Sequence, residues 1–195
     1  MLRVALGQLG MGKTEPTYRQ VFESLGGRTA FVVTPCFEGG MPYKDLMLKT
    51  PFLNISRGMD WAYTLNQVKG RVVRVRIDDG LVSFLEHVKQ LQNFILVLDD
   101  LQTVAEYPDV KAALKGLFSL ARYRCDIYIT AHFYRASFGP GLTMWREGAQ
   151  SLIIYGPPVS DDEADEIVTR YRGQDKKEFR QRLLSNPPYT PLTVI

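Results

Sequence analysis

The eight residues Gly7-Gln8-Leu9-Gly10-Met11-Gly12-Lys13-Thr14 constrain this chain more than any other segment. They satisfy the pattern G-x-x-x-x-G-K-[ST] at every position, and they follow directly on an apolar run, Leu2–Leu6, that reads as a strand. Beyond them Tyr18, Val21, Phe22 and Leu25 recur at i, i+3, i+4 and i+7, the apolar stripe of a helix. A strand, a glycine loop and a helix in that order let the backbone curl until successive N–H groups converge on a phosphate, with the helix adding its positive end. Gly7, Gly10, Met11, Gly12, Lys13 and Thr14 are therefore the expected cofactor-binding set. Lys13 is expected to reach the β- and γ-phosphates of ATP, and the Thr14 hydroxyl to ligate Mg²⁺. Pro16 is compatible, since first-turn N–H groups have no intrahelical partner. A chance glycine turn would lack both flanking elements.

Short apolar runs alternate with helical patterns along the rest of the chain. Further strands are expected at 29–33, 72–77, Phe94–Leu98, 126–130 and Ser151–Tyr155, with a terminal one at 192–195. Leu81, Phe84, Leu85 and Val88 form one helical stripe, and Val110, Ala113, Leu114, Leu117, Phe118 and Ala121 another. A further helix starts after Ser160, whose hydroxyl and Glu163 make a capping box, with Arg170, Arg172 and Gly173 at its end. Alternation of this kind predicts an α/β fold with a mostly parallel central sheet and helices on both faces, and the glycine loop makes it a P-loop NTPase. We read residues 1–195 as a single P-loop ATPase domain with an irregular insertion at about 34–70, where Pro35, Gly39, Gly40, Pro42, Pro51 and Gly58 break any period.

The run Phe94-Ile95-Leu96-Val97-Leu98 ends in Asp99-Asp100, as a buried central strand delivering carboxylates to the phosphate end would. Asp99 is the expected metal residue, holding Mg²⁺ through its water shell together with Thr14, and Asp100 the expected catalytic group that orients the attacking water. A second pair, Asp78-Asp79, precedes Gly80 and is better explained as a turn and helix cap.

Composition excludes more than it names. With 45% hydrophobic and 23% charged residues the chain can bury a core, and a net charge of +3 permits contact with nucleic acid without arguing for it. Cys36 and Cys125 lie in no C-x-x-C and near no histidine cluster, so a zinc site or disulfide framework is not expected. No signal peptide and no membrane-length apolar run is read, hence no stable membrane insertion.

With loop and acids placed, the order of elements resembles the FtsK/HerA superfamily, particularly the genome-packaging ATPases of membrane-containing and large double-stranded DNA viruses. The resemblance spans about residues 2–172 and also rests on the block 122–155, where the strand 126–130 ends in a polar residue and Trp145-Arg146 precedes the next strand. Where relatives usually carry a glutamine as γ-phosphate sensor, this chain has Thr130-Ala131-His132, and it has Asp100 where many have glutamate. The resemblance implies a RecA/FtsK-like layout and a motor that moves double-stranded DNA, probing γ-phosphate near His132 and working as a homo-oligomeric ring at a capsid portal or packaging vertex, in the host cytoplasm or the virion. His132 reads equally as a packed loop residue. Arg146 is the candidate arginine finger acting on a neighbouring subunit's nucleotide, with Arg122, Arg124 and Arg135 next in order. Lys44, Lys49 and Arg57, interleaved with Tyr43, Phe52 and Trp61, are candidates for gripping DNA phosphates, against the alternative of a solvated insertion with buried aromatics. Arg74 and Arg76, on one face of a strand, read as protection of a sheet edge. A P-loop phosphotransferase and a virion-assembly ATPase that does not handle DNA are the competing functions.

Overall fold

The computed structural model describes residues 1–34, 52–53, 60–75, 80–105, 108–120, 124–132 and 148–195. Among these, the strands are β1 (Leu2–Leu6), β2 (Ala30–Val33), β3 (Phe52–Leu53), β4 (Val72–Val75), β5 (Phe94–Leu98), β6 (Cys125–Ala131), β7 (Ser151–Tyr155) and β8 (Pro191–Thr193). The helices are α1 (Thr14–Glu23), α2 (Trp61–Gln67), α3 (Leu81–Val88), α4 (Leu101–Val104), α5 (Pro108–Leu120), α6 (Asp161–Arg170) and α7 (Lys176–Leu184). All eight strands join one sheet in the order β3-β4-β2-β5-β6-β1-β7-β8. Every pairing is parallel except that of β7 with β8.

Strand alternation divides the core into two layers. Phe94, Leu96 and Leu98 of β5 pack with Leu81, Phe84, Leu85 and Val88 of α3 and with Val110, Leu114 and Leu117 of α5. Ile95 and Val97 face the other way, onto Tyr18 and Val21 of α1. All five β5 side chains are buried, as a strand covered on both faces requires. Helices thus cover both faces, and the mostly parallel α/β architecture is as the sequence predicts.

The sheet order departs from expectation at Arg74. Its strand, β4, is not an edge: it pairs with β2 on one side and β3 on the other. The edge-protection reading is therefore wrong for Arg74, because alternation within a strand says nothing about which strands flank it; Arg76 lies outside the described residues. The strand expected at 126–130 runs Cys125–Ala131, and α7 and α4 were not foreseen. The Ser160 hydroxyl accepts the Glu163 N–H at 3.2 Å, as the capping box predicts, but the Glu163 carboxylate accepts from Val159 N–H at 2.8 Å, one residue earlier than the standard box.

Candidate functional site

Because the strands are parallel, the carboxyl ends of β1, β2, β5, β6 and β7 share one edge of the sheet, and the glycine loop follows the first of these. Two close approaches shape it. The Gly7 N–H donates to Ala131 O at 3.1 Å, and a Cβ on Gly7 would lie 2.3 Å from the Tyr155 carbonyl oxygen. Gly12 adopts φ +85°, a left-handed conformation that a side chain would strain. Lys13 then opens α1 with no side-chain cap, its carbonyl accepting from the Thr17 hydroxyl at 2.8 Å. The first-turn N–H groups of α1 have no intrahelical partner and are left to a ligand.

Four of the expected residues converge on this loop. Lys13 is buried, with Nζ 3.1 Å from His132 Nδ1 and 3.4 Å from Gln8 O. His132 Nε2 lies 3.4 Å from Asp100 Oδ1. Asp99 is only 5% exposed at the end of β5. Its Oδ1 accepts from the Thr130 hydroxyl at 2.7 Å, and its Oδ2 from the hydroxyls of Thr34 at 3.1 Å and Tyr18 at 3.5 Å. Thr130 Oγ1 in turn accepts the Asp100 N–H at 2.8 Å, so one hydroxyl ties the two acids together. Asp100 points differently because its backbone is left-handed, φ +55°, and its Oδ2 accepts from the Thr103 hydroxyl at 2.9 Å.

Electrostatics separate the two acids. Burial pushes the Asp99 carboxyl above the ordinary range and outweighs the Thr130 and Thr34 hydrogen bonds. For Asp100 burial acts in the same direction, but the neighbouring His132 ring, the Thr103 hydrogen bond and the Lys13 charge more than offset it, leaving its pKa lowered. Burial lowers the Lys13 pKa against the opposing pull of Asp99 and Asp100. A desolvated lysine and a desolvated carboxylate beside an uncapped helix start fit a polyphosphate and a divalent cation together. The expected donors, the Thr14 hydroxyl and the Asp99 carboxylate, would offer hard oxygen of the kind Mg²⁺ takes.

Other expectations fare differently. Trp61 is a core residue, 5% exposed, its Nε1 donating to Ser83 Oγ at 3.3 Å and its ring stacked on His87 with centroids 5.1 Å apart. It cannot stack on a DNA sugar, and the buried-aromatic alternative holds there. Arg124 lies exposed at the amino end of β6, the edge of the sheet opposite the loop. Arg146, Arg122, Arg135, Tyr43, Lys44, Lys49, Arg57, Cys36 and the Asp78-Asp79 pair lie outside the described residues, as does the side chain of Phe52. The Cys125 thiol is buried, its pKa pushed up to about 11 by that burial, which leaves it an inert core thiol. Among the described residues no helix is long and apolar enough to cross a membrane, and no group of three or more His, Cys, Asp or Glu side chains gathers as a metal site. Sequence reasoning missed Thr34 and Thr103; Thr34 directly follows the apolar run of β2, which was its available signal, whereas Thr103 lies within α4.

No family model and no curated protein sequence matches the chain. Solved structures do. The genome packaging NTPase B204 from Sulfolobus turreted icosahedral virus 2, in complex with AMPPCP, superposes with a TM-score of 0.63 at 12% identity, over 98% of this chain and 90% of that one. The chain has the P-loop NTPase fold. The cytoplasmic domain of EssC matches with a TM-score of 0.55 at 14% identity, over 97% of this chain and 47% of that one. That of the type VII secretion ATPase EccC from Thermomonospora curvata matches with a TM-score of 0.51 at 16% identity, over 83% of this chain and 20% of that one. These neighbours agree with the FtsK/HerA resemblance at the level of fold.

Proposed function

We propose that this chain is a Mg²⁺-dependent ATPase that drives double-stranded DNA into a preformed viral capsid. The observation that carries the reading is the convergence of Lys13, Asp99, Asp100 and His132 beneath a complete phosphate loop, within a fold shared with a genome packaging NTPase. In this reading N–H groups of the loop after Gly7, whose own N–H is held by Ala131 O, cradle the β-phosphate, and Lys13 exchanges His132 for the β- and γ-phosphate oxygens. Thr14 and, through water, Asp99 hold the metal. A bound Mg²⁺ neutralises charge on the leaving and transferred phosphates. Asp100, held below the ordinary carboxylate range, stays ionised and orients the attacking water. His132, between Lys13 and Asp100, reports whether a γ-phosphate is present.

The finer reading follows the resemblance. Copies of the chain form a ring at a packaging vertex or portal, in the host cytoplasm or on the virion, and Arg146 of one copy completes the nucleotide site of the next. Lys44, Lys49 and Arg57 grip DNA phosphates without reading bases, so binding falls steeply with salt. The test is the steady-state ATPase rate of the purified protein with and without duplex DNA. Stimulation by DNA of any sequence supports the motor. Phosphorylation of an added nucleoside with no response to DNA would replace it with a phosphotransferase.

A further inference from the structure

The turn that precedes β8 is built onto the phosphate loop. Asn186, 5% exposed, spreads its Nδ2 over the carbonyls of Ile154, Gly156 and Thr190 at 3.3, 3.3 and 3.1 Å. The Tyr189 N–H donates to Met11 O at 3.1 Å. Met11 itself rests on Gly156, where a Cβ would lie 2.7 Å from its sulfur. Tyr189 has φ +60°, a left-handed conformation in which glycine or asparagine would sit with less strain. Its ring edge covers Gly12: a Cβ there would meet Tyr189 Cδ1 at 2.3 Å. Yet the residue is 72% exposed, so an aromatic ring is fixed at its base and open on its outer side, at the rim of the loop.

Sheet order says what that ring faces. Asp99 and Asp100 follow β5 and His132 follows β6, both on one side of β1; the 186–190 turn lies on the other side, beyond β7. A triphosphate lying across the loop with its γ-phosphate at Asp100 and His132 must lead its nucleoside away from β6, towards β7 and β8. We infer that Tyr189 is the stacking platform for the adenine ring of the bound ATP. The inference rests on the nucleotide-site reading above and adds to it the group that recognises the base. Every base has a π-face, and an aromatic side chain beneath it tightens binding by roughly tenfold or more. The strained backbone and the Asn186 clamp supply the order that stacking needs, so the ring does not have to be immobilised on binding.

The test is equilibrium binding of ATP and of inorganic tripolyphosphate to the full chain. Tyr189→Ala should weaken ATP roughly tenfold or more, within the range for a lost base stack, and leave tripolyphosphate unchanged. Tyr189→Phe should restore ATP binding. In Tyr189→Trp the indole fluorescence should be quenched by ATP and not by tripolyphosphate. Equal losses for both ligands in Tyr189→Ala would make the ring a prop for the loop, and no loss for either would remove it from the site; each result overturns the inference while leaving the nucleotide site standing. If wild type binds neither ligand, or Lys13→Ala binds both as wild type does, the nucleotide site itself is wrong and the platform falls with it.

Discussion

Lys13 and His132 meet through a 3.1 Å contact between Nζ and Nδ1, across 119 positions of sequence. An ammonium group can only donate, so Nδ1 must accept, and the ring proton is placed on Nε2, which faces Asp100 Oδ1 at 3.4 Å. The three side chains line up as an open relay from cation to histidine to carboxylate: the first link is a hydrogen bond and the second is not, since Asp100 Oδ1 accepts none. In the proposed function, a γ-phosphate that draws Lys13 away would break the contact between Lys13 and His132.

That relay predicts a split in kinetics. His132→Ala should bind ATP close to normally, since the loop N–H groups and Lys13 remain, but lose turnover by about 10- to 100-fold, the equivalent of one hydrogen bond to a charged group. His132→Asn should recover part of it. Parallel isothermal titration and steady-state assays decide the matter, and a matched loss in affinity and turnover would make His132 a packing residue.

The acids should divide their labour. Asp99→Asn can accept from only one of the Thr130 and Thr34 hydroxyls, because its amide NH2 donates, and it removes the charge facing Lys13; it should weaken Mg²⁺-dependent ATP binding. Asp100→Asn should leave binding intact and stop hydrolysis, because metal ligation and water positioning are separate tasks. Identical behaviour of the two variants in both assays would end this assignment.

The parts of this site legible in the sequence are those encoded locally. The phosphate loop announces itself in eight consecutive residues, and Phe94 to Asp100 reads as a strand with acids at its end. The stripe Leu81, Phe84, Leu85, Val88 is buried as its spacing predicts. The hidden parts depend on partners far apart in sequence. Thr34 and Thr130 become site residues only because the sheet order sets β2 and β6 on either side of β5. Helix α7, Lys176–Leu184, buries only Phe179 and Leu183, too few apolar positions to mark a stripe. Tyr189 could not be linked to the loop without knowing that β8 returns beside β7.

Arg146 carries a prediction that mixing can decide. As a finger acting on the next copy, Arg146→Ala should bind ATP normally yet lose on the order of 10³-fold or more in turnover. Combined with Asp100→Asn, some interfaces would pair an intact arginine with intact carboxylates, so activity should return from two inactive proteins. An inactive mixture, with subunit exchange demonstrated separately, would turn attention to Arg122 and Arg135.

At the other edge of the sheet Asp126 accepts from Arg28 Nη1 at 2.7 Å and from the Met1 ammonium at 2.9 Å. Burial raises its pKa, but these two partners outweigh it and hold the carboxyl below the ordinary range. A lowered folded-state pKa means the unfolded chain takes up the proton first as pH falls. The stabilisation is thus complete above the unfolded value of about 3.9 and is lost as pH drops through the folded one. Asp126→Asn should melt earlier than wild type at pH 7, and the gap should close on acidification below that value. A gap that does not change with pH would show that the charge contributes nothing.

Gly7 and Gly10 should respond differently to the same methyl group. At Gly10, φ is +79° and a Cβ would meet no atom within 4 Å, so alanine brings only backbone strain, about 1–2 kcal/mol. At Gly7 the methyl would run into the Tyr155 carbonyl oxygen at 2.3 Å, and Tyr155 belongs to β7, which is hydrogen-bonded to β1 on one side and β8 on the other. That oxygen has nowhere to retreat, so the loop must lift instead, and lifting it draws the Gly7 N–H away from Ala131 O. Gly7→Ala should therefore lower the melting temperature further than Gly10→Ala and abolish ATP binding, while Gly10→Ala keeps measurable affinity. Thermal denaturation and ATP titration of the two variants check this directly. The reverse ranking would mean that β7 yields and that the seat of the phosphate loop is set elsewhere.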